Sequence, residues 1–152
     1  MTNPALSDLA VLLGTWRVEL TAADWLDEGQ SLVGETRVEW LDDFFLVLRS
    51  SFGEGPPDST SVVGRNEDRD DYTVLYADER GVSRIYAITY ADRLWVQHRE
   101  DPGFHQRFEG RIGEDGARID ATWSKSHDDG GTWEHDFDLT WTRIPGWSGT
   151  TS

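Results

Sequence analysis

Cysteine is absent from this sequence, which removes disulfides and thiolate metal sites at once. The absence fits a reducing compartment, and the expected location is cytoplasmic. Positive charge is scarce: Lys and Arg total 14 against 29 Asp and Glu, a formal charge of -15. A field of that sign repels phosphate backbones and anionic bilayers, so nucleic acid and membrane surfaces are not expected partners. Long apolar runs are missing too. Stretches such as Phe44–Leu48 fall far short of the roughly 20 residues a membrane helix needs. The segment Met1–Gly14 has no basic region and only the apolar run Leu9–Leu13, so it does not read as a signal peptide.

Aromatic side chains, by contrast, are plentiful. Eight Trp, six Phe and four Tyr in 152 residues are incompatible with a disordered composition. The length suits one domain with a sizeable core, expected to span residues 1–145 and leave a frayed tail at 146–152. Asn3-Pro4 can open a short helix, with Leu6, Leu9, Leu12 and Leu13 on one face. Beyond Gly14 the pattern changes to short runs rich in β-branched and aromatic residues, separated by turn residues. These runs predict strands at Thr15–Thr21, Ser31–Leu41, Phe44–Phe52, Ser61–Asn66 and Tyr72–Ala77, then at Ser83–Tyr90, Leu94–Arg99, Phe104–Ile112, Ala117–Ser126 and Thr132–Ile144.

The links carry hairpin chemistry, as in Asp42-Asp43, Asp101-Pro102-Gly103 and Glu114-Asp115-Gly116. They are too short for crossover helices, so sequence neighbours should pair antiparallel. About ten such strands must dispose of their edges, and a meander of hairpins does so by closing on itself. The expected fold is therefore all-β, an up-and-down antiparallel barrel of about ten strands behind a short N-terminal helix.

Gly14-Thr15-Trp16, following a helix and opening the first strand, resembles the G-x-W signature of calycins, the lipocalin-like barrels. The resemblance runs from Gly14 to Ile144. It is nearest to bacterial lipocalin-like proteins and more distant from fatty-acid-binding proteins and nitrobindins. It implies structural roles for two residues: Trp16 closes one end of the barrel, and Arg143, late in the final strand, packs over its ring. A guanidinium lying flat on an indole face gives that pairing a physical basis. A second pattern, Ser126-x-Asp128-x-Gly130-x-Thr132-Trp133, matches the Asp-box hairpin of sialidase-like propellers. Occurring once, it reads as a turn-stabilising device and not as glycosidase chemistry.

Alternation along the strands indicates the inward faces. In the last strand Trp133, His135, Phe137, Leu139 and Trp141 share one face, which makes His135 a titratable group on an apolar wall. Applied to the preceding strands, the same reading predicts a row of His98, Gln106, Trp123 and His135, extended by Tyr86. Cross-strand neighbours on one face lie about 5 Å apart, so such a row could line a cavity. Arg143 falls about 27 Å beyond His135 along an untwisted strand, so the row belongs to the end opposite Trp16. Trp40, Trp123, Phe108, Phe137 and Trp141 would supply an aromatic lining. His105 and His127 fall on an outward face and in a turn.

Three functions compete on this reading. The leading one is binding of a small hydrophobic or aromatic molecule, with His135, His98, Gln106, Trp123, Tyr86, Phe108 and Phe137 around it and no cofactor. The resemblance to nitrobindins implies a second, a haem site with His135 as proximal ligand, although Arg17-Val18-Glu19-Leu20 stands where nitrobindins carry further glycines. The third is a cofactor-free isomerase, cyclase or hydro-lyase using His135 or His98 as acid or base. No nucleophile–base motif supports it, and binding is the more expected role. No metal site is expected: the four His lack ligand spacing, and Glu67–Asp71 reads as a solvated loop. Phe45, Val47 and Trp95, expected to point outward, raise the idea of a homodimer.

Overall fold

Each run between turn residues becomes a strand in the computed structural model, which describes residues 1–144. The strands are β1 (Gly14–Thr21), β2 (Ser31–Leu41), β3 (Phe45–Ser51), β4 (Ser59–Arg65), β5 (Tyr72–Asp78), β6 (Ser83–Ala91), β7 (Leu94–Asp101), β8 (Phe104–Ile112), β9 (Arg118–Ser126) and β10 (Glu134–Arg143). Each pairs antiparallel with its sequence neighbours, and β1 pairs with β10 to close the barrel. Closure leaves no free edge on any of the described strands, which is how so many local hairpins become one stable sheet. The expected C-terminal tail lies outside the described residues.

Two hairpins turn on non-glycine residues with positive φ at both central positions: Asp42-Asp43 at 53° and 62°, and Asp92-Arg93 at 52° and 61°. This is type I′ geometry, whose twist matches that of the flanking strands. The Asp-box hairpin between β9 and β10 is satisfied internally, as its pattern predicts. Ser126 Oγ donates to Asp128 Oδ1 at 2.8 Å and accepts from Gly130 N, while Asp128 Oδ1 also accepts from Thr132 N at 2.7 Å. These donors, the Thr132 backbone amide foremost, hold the Asp128 carboxyl below its ordinary pKa.

The N-terminal helix is a 3-10 helix, Pro4–Leu12, and not the α-helix its leucines suggest. The physical reason lies in their spacing. Leu6, Leu9 and Leu12 are three apart, so three residues per turn align all three, and all are fully or almost fully buried. Asn3 caps the helix by accepting from Ala5 N at 3.0 Å, and its own backbone amide donates to Asp43 O at 2.8 Å. The helix thereby lies across the barrel end marked by the β2–β3 turn.

Trp16 is 0% exposed, and its indole Nε1 donates to Leu12 O at 2.8 Å. The Arg143 guanidinium sits 4.2 Å from a Trp16 ring centroid. It also donates to Val11 O at 2.8 Å, to Leu13 O, and to Gly116 O at 3.2 Å. One side chain thus joins the last strand, the end of the helix, the β8–β9 turn and the sealing indole. Gly14 enters β1 at φ 131°, a conformation that L side chains rarely adopt.

Replacing Arg143 with Ala removes the cation–π contact and leaves three carbonyls without their charged donor, an expected loss of about 3 kcal/mol. Arg143→Lys retains charge but cannot reach all three carbonyls, so it should lose less. Urea unfolding of both variants measures the difference, and an Arg143→Ala midpoint equal to wild type would remove this residue's structural role.

Candidate functional site

Strand alternation directs one side of every strand into the barrel, and beyond the packed layer over Trp16 these side chains surround a cavity of ≈ 440 Å³. Its wall includes a row formed by direct pairing across four strands: Gln97 opposite Phe108, Phe108 opposite Trp123, and Trp123 opposite Phe137. The aromatic rings are in serial contact. Trp16 meets Trp141 edge-on at 5.9 Å, Trp141 meets Trp95 at 5.5 Å, and Trp95 meets Phe108 at 4.5 Å. Phe108 then meets Trp123 at 5.3 Å, and Trp123 meets Tyr86 at 5.8 Å. Such tilted and edge contacts suit ring quadrupoles and make a firm wall. Trp25, Pro56 and Pro57, from the β1–β2 and β3–β4 loops, line the mouth at the end away from Trp16.

The polar groups gather toward that mouth. Tyr86 Oη donates to Gln106 Oε1 at 2.9 Å, and Arg84 Nη1 donates to the same oxygen at 3.4 Å. Burial pushes the Tyr86 phenol above its ordinary pKa, against the opposing pull of Arg84. Tyr76 donates to Asp78 Oδ2 at 2.8 Å, and its phenol is pushed up to about 12, first by burial and then by that hydrogen bond. Deeper in, the indole N–H groups of Trp95 and Trp141 are buried with no acceptor among the described residues.

Of the residues expected around the ligand, Tyr86, Gln106, Phe108, Trp123 and Phe137 do line the cavity. The two histidines do not. On β7, Trp95 and Gln97 face inward, so His98 faces outward, where its Nδ1 meets Glu100 Oε1 at 2.7 Å. The expectation failed there because Leu94, Trp95 and Val96 are apolar on both faces of the strand, leaving alternation no contrast to read. On β10 the pairing register shifts between His135 and Phe137, the signature of a β-bulge. The extra residue turns Asp136 into the cavity and His135 out of it. His135 is 45% exposed and bonds Asp138 Oδ1 through Nε2 at 2.9 Å.

No histidine lines the cavity, so the residues present offer haem no imidazole, and the haem reading built on His135 loses its ligand. The acid/base readings of His98 and His135 lose their access to the interior in the same way. Trp40 packs on the core without reaching the cavity. Trp95 points inward and Val47 is buried, which leaves only Phe45 of the three residues offered for a dimer contact. His105 is largely covered beside Asp129 and Trp133, whereas His127 stacks on Phe104 at 5.3 Å. Gln97, Arg84 and Asp136 were not anticipated. Gln97 and Asp136 sit one residue from the expected histidines, and Arg84 would have followed from a fixed parity for Tyr86.

No protein-family model matches the chain, and a search of curated proteins finds no match. Its fold is similar to that in the crystal structure of Rv2717c from M. tuberculosis, with a TM-score of 0.64 at 14% identity. The likeness covers 95% of this chain and 99% of that one. At that identity it speaks for the barrel fold alone.

The raised Tyr76 pKa has a consequence for stability. The protonated phenol is favoured in the folded chain, so its contribution is whole below pH 10 and lost as pH rises through about 12. Urea midpoints should fall across that window, and more shallowly in Tyr76→Phe; parallel declines would show that Tyr76 does not contribute.

Proposed function

We propose that the barrel binds a small apolar molecule with a planar, aromatic body inside its cavity. The observation that carries this reading is the serial aromatic wall around a volume of ≈ 440 Å³. Small-molecule sites commonly have volumes of about 300–1,000 Å³ and are mostly apolar, with a few placed polar groups. Offset and edge-on rings present both faces and edges to a guest, a better match to a flat π-system than to a saturated chain. Binding requires no chemistry from His98 or His135, both of which face away.

The test is fluorescence titration with N-phenyl-1-naphthylamine, a neutral aromatic probe that brightens in apolar surroundings. Saturable binding with micromolar Kd is the expected result for wild type. Ser61 lines the cavity, and Ser61→Phe should fill space there and weaken binding at least tenfold. His135→Ala and His98→Ala should leave the affinity unchanged. Equal probe affinity in wild type and Ser61→Phe would place the probe outside the cavity and overturn the reading.

A further inference from the structure

We propose that the cavity mouth carries an anion subsite built on Arg84 and Gln106, and that its ligand is an aromatic acid with a carboxylate seated there. The inference rests on the binding reading above and names the chemical class of the guest.

The cations around the mouth differ in how they are paired. Arg80 is paired with Asp78 at 2.7 Å, Arg99 with Asp101, and Lys125 with the cavity-lining Asp136 at 3.4 Å. Each of these cations has its carboxylate. Arg84 lines the cavity, yet among the described residues it has no carboxylate oxygen within 4.0 Å. In a chain with 29 acidic and 14 basic side chains, a half-buried arginine without an acidic partner runs against the composition.

The guanidinium is held in place without being satisfied. Its Cζ lies 5.8 Å from the Tyr76 ring centroid and 5.9 Å from that of Phe104, which orient it by cation–π contact. A guanidinium has five N–H donors, and only the Nη1 contact to Gln106 at 3.4 Å is made within the described residues. Partial burial of an unpaired charge is costly, and a bound carboxylate would offset that cost with a charge-assisted fork.

Gln106 completes the subsite. Its Oε1 accepts from Tyr86 and Arg84, which fixes the amide orientation and leaves Nε2 donating to no protein acceptor among the described residues. A carboxylate at this point would meet one charged and one neutral donor side by side, with its ring directed toward Trp123 and Phe108. The arrangement also selects against neutral guests, because a neutral group returns less to the desolvated guanidinium than an oxyanion does. The chain's overall charge of -15 repels anions at long range, so any preference for one must arise locally.

The experiment is isothermal titration calorimetry of the full chain with 2-naphthoate and with 2-naphthamide, its neutral counterpart of the same shape. Wild type should bind 2-naphthoate at least tenfold more tightly. Arg84→Gln should bring the two affinities together, whereas Arg84→Lys, which keeps the charge, should preserve most of the difference. Circular dichroism establishes that each variant is folded before it is compared. Equal affinities in wild type, or a preference surviving in folded Arg84→Gln, would overturn the subsite and leave the cavity reading standing. Absence of both naphthalenes and of the neutral fluorophore from the cavity would overturn the cavity reading, and the subsite with it.

Discussion

The contact between Arg143 and Trp16 is the constraint on which the rest of the structure depends. A barrel of this size can close laterally by strand pairing, but its ends are open unless something covers them. Here one indole fills the end, a short helix covers the indole, and one guanidinium fastens both to the last strand. Burial holds the Arg143 pKa below its ordinary value, yet a guanidinium retains its proton at any physiological pH. Its charge-assisted bonds to the helix carbonyls are therefore permanent. Those carbonyls would otherwise be left without partners at a helix terminus.

Sealing one end leaves the interior free to differ at the other. Above Trp16 the barrel is filled with Leu, Val, Ile and Trp side chains, as a packed core requires. Toward the mouth the same inward positions hold Gln97, Gln106, Tyr86, Arg84 and Asp136 around open space. The gradient from packed to hollow runs along the strand axis, so each strand serves both purposes with different residues. Stability and recognition are thereby separated by position along the strands.

The strands were legible because turn residues bracket them and their alternation is strong. β2 and β8 match their expected limits, and the remaining strands differ by only a few residues. The seal was legible because Gly14, Trp16 and Arg143 form a recognisable set. The site was legible only in part, and the failures have local causes. Leu94-Trp95-Val96 is apolar at consecutive positions, so nothing in composition says which face of β7 is inward. The bulge near Asp136 is a backbone event inside a regular apolar alternation, and it inverts the parity of His135 without altering Phe137, Leu139 or Trp141. Where a strand had one apolar face and no irregularity, as in β8, the inward set Phe104, Gln106 and Phe108 was read correctly.

Closure of β1 onto β10 joins the strands farthest apart in sequence, while every other pairing in the ring is between neighbours. Hairpins can therefore accumulate one after another, but the ring shuts only after the last of them has formed. A growing chain that has presented nine strands carries two unpaired edges, on β1 and β9, each a template for another chain. Arg143 lies at the end of the final strand, so the clasp that secures the seal arrives together with the strand that completes the ring. Until then the nascent chain has both open ladders and a loosely covered indole, and this is the interval in which a chaperone has most to protect.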